Sequence, residues 1–441
     1  MAGNREIRLN AEQPVQSYFR LSLPVVLGSI VTIVYNLADT YFIAQTGNAL
    51  LIAGVSVCAP LFMILMALGN VFGQGGSSLI SRLLGKKDLD GAGRVSAFCF
   101  YIALIAGAVL GLGMLILRDP LLRLLGCSQD TLPYAREYGT VLLLGAPLIV
   151  VNFIHMNLLR CEGMSGLSML GTAFGSVVNV ILDPLMIPSM GAAGAALATV
   201  IGYAMSDALL LFFVLRKSAC LSVRFRLSLP GSAVRDILGV GLSAAVTNLA
   251  SSLCAVLVNQ HLMAYGDDRI AAMGIVLKLT MIVQMILVGF SFGGIPLFGF
   301  LMGAGEKAKL RKLVRFCLVF LAGLALLMSA FVFLAARALL GVMTPDAALT
   351  ELGVPMLRWQ VAGSVFAGLV MFLTCLFQAG GKAGPAMALS LSRQGIVFAL
   401  VLIILVRIRG YEGVIMSQCI ADIVSAALAL LLFRLFPVMR D

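Results

Sequence analysis

The sequence predicts an all-α membrane protein with twelve transmembrane helices in two pseudo-symmetric six-helix lobes. Three observations carry this. Of 441 residues, 61% are hydrophobic and 12% charged, where a soluble domain holds about 25% charged residues. Apolar stretches of about 20 residues, enough to cross a hydrocarbon core of about 30 Å, recur along the chain with short polar breaks. The second half repeats the first.

Read between polar breaks, the spans fall at 21–45, 51–83, 95–117, 136–159, 167–187 and 194–215 in the first half. In the second half they fall at 237–264, 270–302, 314–336, 355–378, 386–406 and 412–435. The second and eighth are long enough to tilt or overhang the bilayer. The start, MAGNREIRLNAEQPVQSYFR, lacks a short apolar core followed by a small-residue cleavage site, so the first span is expected to stay in the protein. An even number of spans places both termini on one side. Short loops rich in lysine and arginine stay in the cytoplasm, and most such residues lie on the side of the termini, among them Lys86, Lys87, Arg216, Lys217, Lys307 and Arg311. The expected location is the plasma membrane, multi-pass, with both termini cytoplasmic. The polar connection at 216–236 reads as a linker, giving lobes at 1–225 and 226–441.

Shifting the first half by 218 residues lays Ile52, Leu61, Met63, Phe72, Gly76 and Gly85 on Ile270, Leu279, Met281, Phe290, Gly294 and Gly303. Six spans per half keep both copies in one orientation. The halves are then related by an axis along the membrane normal, with a substrate cavity expected between them near the midplane.

The net charge of +11 does not mark a nucleic-acid partner, because that needs clustered base on a folded soluble face. The cysteines form no CxxC pair, and His155 and His261 have no companion at metal-ligand spacing. No cofactor is expected. The expected partners are small-molecule substrates and the lipid bilayer, with the chain acting as a monomer.

Four acids interrupt the spans: Asp39, Asp183, Asp207 and Asp422. A carboxylate at a span centre costs about 2.5–3.5 kcal/mol, so each should face a wet cavity or a partner. Asn179 and Asp183 are four residues apart in NVILDP, on one helical face. Asp39, Asp183 and Thr199 fall at similar depth, so three helices can offer oxygen ligands to one point, suited to Na⁺ or to a shared proton. In the second half Asn179 and Asp183 become Val397 and Val401, and Asp39 falls in the LVN stretch around Val258. The cation site therefore belongs to the first half. Two bases, Lys278 and Arg393, also fall inside spans.

Several segments together, LPVVLGSIVTIVYNLADTYFIAQTG, VFGQGGSSLISRLLGKKD, NVILDPLMI, FSFGGIPLFGFLMGAGEK and FQAGGKAGPAMALSLSRQ, resemble the MATE (multidrug and toxic compound extrusion) family over nearly the whole chain. The resemblance implies cation-coupled efflux by alternating access between two six-helix lobes. It implies that Asp39 is the span 1 coupling carboxylate, that Asn179, Asp183 and Thr199 complete the first-lobe cation site, and that Pro24 lets span 1 bend. Pro24 reads equally as a helix-start proline. Members that couple through second-lobe acids carry them on spans 7 and 10, which here have none. Lys278 stands where related members often carry a base, and either faces the cavity or answers Asp422. Tyr35, Asn36, Met63, Lys278 and Met281 are expected to line the substrate cavity, where flexible methionines suit varied apolar ligands.

The sequence thus points to an H⁺- or Na⁺-coupled antiporter exporting small organic, cationic or amphipathic compounds. The alternative is a lipid-linked oligosaccharide flippase of the same superfamily, which would need a wide cationic cavity; only Lys278 and Arg393 are candidates for it. A membrane enzyme is disfavoured, since neither histidine has a nearby acid in its span for proton transfer.

Overall fold

The computed structural model describes residues 9, 12–226, 228–344 and 346–436, and among them there is no β-strand. The first half comprises α1 (Pro14–Ala44), α2 (Ala49–Val57), α3 (Ala59–Gly85), α4 (Leu89–Ile116), α5 (Arg118–Leu124), α6 (Leu132–Leu144), α7 (Ala146–Cys161) and α8 (Ser165–Lys217). The second comprises α9 (Gly231–Met263), α10 (Asp267–Gly293), α11 (Ile295–Gly303), α12 (Lys307–Leu334), α13 (Ala336–Met343), α14 (Ala347–Ala362), α15 (Ser364–Ala379), α16 (Ala383–Gln394), α17 (Ile396–Arg409) and α18 (Tyr411–Leu435).

Among the described residues nine helices, some joined end to end, are long and apolar enough to cross a bilayer. Two bent pairs, α6 with α7 (52°) and α14 with α15 (40°), bring the number to 11. The 53-residue α8 cannot be one crossing, because at 1.5 Å per residue it would run about 80 Å. It folds over at Gly191, whose φ of 58° and ψ of −132° suit only glycine. Counted as two passes, α8 completes the twelve.

Helix boundaries repeat at the offset read from the sequence. Displaced by 218 residues, α4 coincides with α12, α7 with α15 and α5 with the start of α13, while the end of α8 falls on the end of α18. The turn at Gly191 recurs at Gly410, with φ 57° and ψ −126°. The short helices α5 and α13 were not legible as spans, being too brief to cross. The helices also outrun the predicted apolar windows: α1 begins at Pro14, seven residues early, because polar interfacial residues prolong a helix as readily as apolar ones.

By internal contact the chain forms two compact units. Among the described residues, one is formed by those of 27–245 and the other by those of 12–26 with 246–436. The division therefore runs through α1 and α9 rather than through the linker. In the first unit, a methyl group at Gly241 would lie 1.9 Å from the Val71 carbonyl oxygen, and one at Gly75 would lie 2.1 Å from that of Ile237. Glycines at both contacts let α3 and α9 touch backbone to backbone, as small residues do between membrane helices. The linker is strapped to the same unit. Glu162 Oε1 accepts from Ser218 Oγ (2.9 Å), Ala219 N (3.1 Å) and Cys220 N (2.7 Å), and the Tyr101 hydroxyl donates to the Val223 carbonyl (2.8 Å).

In the second unit the early turns of α1 pack on α10 and α11. Tyr18 is fully buried, its hydroxyl donates to the Phe290 carbonyl (3.0 Å), and its ring lies among Phe19, Phe290, Phe298 and Phe320.

Candidate cation-binding site

Within the first unit α1 and both passes of α8 meet where the sequence placed three oxygen-bearing groups. Asp183 lies eight residues before the Gly191 turn and Thr199 eight residues after it, so the two stand at equal depth, about 12 Å from the turn. The helix continues through Pro184 and Pro188, which sets Asp183 deeper than the predicted span end implied. Asn179 joins the passes: its Nδ2 donates to Asp183 Oδ1 and to Thr199 Oγ1, each at 3.4 Å. The Thr199 hydroxyl donates in turn to the Ala195 carbonyl (3.0 Å). Asp183 is 0%, Asn179 2% and Thr199 4% exposed.

Asp39 comes from α1, and Ile43, one turn along the same helix, packs with Ile187 and Ala195, which lie one turn from Asp183 and Thr199. Three oxygens of this cluster, Asp39 Oδ1, Asn179 Oδ1 and Asp183 Oδ2, are buried and accept no hydrogen bond. Buried acceptors are normally satisfied, and an unmet one calls for a bound ion, water or proton. Among the described residues no lysine or arginine pairs with Asp39, Asp183 or Asp207. Such a set of hard oxygens suits a Na⁺ ion, and the two carboxylates suit a shared proton.

Tyrosines complete the surroundings. Tyr35, half-buried, stands one turn before Asp39 on the same face of α1. Tyr138, from α6, packs against the cluster of Ile43 and Ile187, one turn from the two carboxylates. Sequence reasoning passed over Tyr138 and Tyr203. The available signal was the position of Tyr203 one turn beyond Thr199 on the same face.

One turn nearer the Gly191 turn than Asp183 and Thr199 stand Ile187 and Ala195, and one turn beyond Asp39 stands Ile43. With Leu51 and Ala192 these form a buried apolar cluster, flanked by Phe42, Ile52, Val55, Tyr134 and Tyr138. The oxygen cluster is therefore dry on that side, while Asn36 and Thr40 on α1 remain exposed.

The other predicted residues are placed as follows. Pro24 lies ten residues inside α1, which excludes the helix-start reading, and the two units divide the helix two residues further on. Tyr35 is half-buried; Asn36, Met63, Met281 and Lys278 are exposed on their helices. Asp422 is answered by Arg393 and not by Lys278. Arg393 Nε donates to Asp422 Oδ1 at 2.9 Å, with both side chains buried, and Arg393 Nη2 donates to Gln284 Oε1 at 3.1 Å. The pairing joins α16 to α18, two helices whose mutual register no single span reveals. Asp422 of the second unit thus has a fixed counter-charge, while Asp39, Asp183 and Asp207 of the first have none among the described residues.

The MatE family profile matches the chain twice, over residues 24–185 and 243–404. The chain belongs to the MATE family. It is a multi-pass membrane transporter. The multidrug export protein MepA of Staphylococcus saprophyticus is 29% identical over 417 residues, 94% of this chain and 92% of that one. MepA of Staphylococcus aureus is 28% identical over 423 residues, covering 95% and 93%. Among solved structures, the outward-facing conformation of a multidrug resistance MATE family transporter of the MOP superfamily superimposes with a TM-score of 0.90 at 27% identity, covering 96% of this chain and 95% of that chain. A MOP superfamily transporter from Pyrococcus furiosus, described as having a binding pocket of reverse polarity, gives a TM-score of 0.90 at 26% identity, covering 97% of both chains.

Proposed function

We propose that this MATE transporter is a cation-coupled antiporter that exports small organic compounds, cationic or amphipathic, by alternating access. The observation that carries the reading is the set of unpartnered oxygens of Asp39, Asn179 and Asp183, buried together in the first unit. The similarity to multidrug export proteins supports the substrate class. The basic loops assign the termini to the cytoplasmic face of the plasma membrane, and the protein works as a monomer.

In this mechanism an external Na⁺ or H⁺ enters the cluster and offsets one of the two carboxylate charges. Pro24 removes a backbone hydrogen bond from the interior of α1, which lets the helix bend as the cluster fills and substrate leaves outward. One charge crossing the membrane supplies about 2.3 kcal/mol per 100 mV, enough for roughly fiftyfold accumulation.

The test is dye efflux from proteoliposomes under separately imposed Na⁺ and pH gradients. Asp39→Asn and Asp183→Asn are each expected to abolish export while leaving the protein inserted; undiminished export by both removes the site. A flippase would show labelled-lipid movement in the same vesicles. That reading is weaker because Asp422 already engages Arg393, which leaves Lys278, of the two bases named for a cationic cavity, as the one without an ion pair among the described residues.

A further inference from the structure

A third acid of the first unit takes no part in the cluster. Asp207 lies on the second pass of α8, 8% exposed. Asn152 of α7 donates from Nδ2 to its Oδ1 (2.9 Å) and to Ser206 Oγ (2.7 Å). Its Oδ2 is buried and accepts nothing. A carboxylate at this depth without a counter-charge is costly, which marks a functional group rather than a structural tie; an amide in its place would satisfy Asn152 equally well.

Its position relates it to the cation cluster. Thr199, Tyr203 and Asp207 follow at intervals of four residues, so they share one face and descend about 6 Å per step toward the basic end of α8, at Arg216 and Lys217. Tyr203 stands one turn from Thr199 and one turn from Asp207, its ring 6.0 Å from that of Phe62. Hydroxyl groups thus lead from the Asp39–Asp183 cluster to a lone carboxyl about 12 Å further in. The other titratable group nearby on α7 is His155, one turn from Asn152 and stacked on Phe100 (5.1 Å), with neither ring nitrogen partnered.

We propose that Asp207 is an inner proton-binding station, to which the Asp39–Asp183 cluster passes its proton along the Thr199–Tyr203 face. The inference rests on the cluster being the coupling site, and it makes the coupling ion a proton. The balance is simple: the outer carboxyl gives up one proton, each hydroxyl accepts one and donates its own, and Asp207 Oδ2 gains one. Na⁺ cannot use such a path, because it needs several oxygens at every stop.

The experiment compares two activities of the full-length protein in proteoliposomes with ethidium as probe: uptake driven by a pH gradient, and ethidium–ethidium exchange at equal pH, which moves no net proton. Asp207→Asn is expected to slow gradient-driven uptake by about a hundredfold, the scale of a lost positioned proton carrier, while leaving exchange within about twofold of the wild type. Asp207→Glu should recover much of the driven rate. Gradient-driven uptake at the wild-type rate in Asp207→Asn overturns the proposal, as does loss of exchange in both Asp207→Asn and Asp207→Glu, which assigns the residue to folding. Transport driven by Na⁺ alone overturns it too. If Asp183→Asn retains driven transport, the outer site itself has failed, whatever Asp207 does.

Discussion

Removing one partner of the Arg393–Asp422 pair gives a perturbation whose size follows from its surroundings. The side chains are 9% and 2% exposed and meet at 2.9 Å. In Arg393→Met, the carboxylate of Asp422 keeps only the amide of Gln418, whose Nε2 donates at 3.2 Å. Leaving a buried ion without its partner costs about 3–5 kcal/mol, and insertion of a lone acid at mid-span costs about 2.5–3.5 kcal/mol, a similar figure from a different measurement. Asp422→Leu strands Arg393 in the same way, with only Gln284 to accept from it. The double variant Arg393→Met, Asp422→Leu removes both charges and should recover to within about 1 kcal/mol of the wild type, because apolar replacement of a buried pair is close to neutral. The assay is equilibrium unfolding in detergent, followed by the fluorescence of Trp359, the single tryptophan, which lies on α14 of the same unit. The two single losses should fail to add by about 5 kcal/mol or more. Single variants that each cost under about 1 kcal/mol, or costs that simply add, refute the reasoning that this pair is a mutually neutralising lock.

Two further changes test the packing and the loops. Gly241→Ala, whose methyl group would meet the Val71 carbonyl oxygen at 1.9 Å, should destabilise the protein by about 1–3 kcal/mol through overpacking; Gly113→Ala, with nothing within 4 Å, is the control and should leave the unfolding midpoint unchanged. On the loop side, Arg136 and Arg118 hold the Asp119 carboxyl below its ordinary range. Its contribution is therefore present above that range and lost as pH falls through it, so Asp119→Asn should lower the melting temperature slightly at about pH 7 and not at about pH 3, as read by differential scanning of the purified protein.

Much of the fold was legible because apolar length, basic loops and the 218-residue offset are each properties of the chain read in order. The coincidence of α4 with α12 and of α7 with α15 shows how closely that offset governs the helices. The site was legible where residues share one helical face, as Asn179 and Asp183 do, or mirror each other across a turn, as Asp183 and Thr199 do across Gly191. What escaped was pairing between helices far apart in sequence. Nothing in GIVLKLT or SLSRQ says that Arg393, and not Lys278, reaches Asp422, and nothing around Tyr138 says that α6 packs it against the cluster of Ile43 and Ile187. The bends at Gly145 and Gly363 escaped for another reason: each interrupts a span whose apolar content is continuous, so hydropathy passes straight over it.

The oily layer made by Ile43, Leu51, Ile187, Ala192 and Ala195 bears on leakage. A transporter that let its driving ion slip through unaccompanied would dissipate the gradient and export nothing. Here the seal includes Ile43, carried by the same helix as Asp39 and one turn beyond it. In the proposed mechanism an ion held at Asp39 departs along that axis only when the helix holding it also shifts, so the barrier to idle passage and the part proposed to move for productive work are one piece of chain.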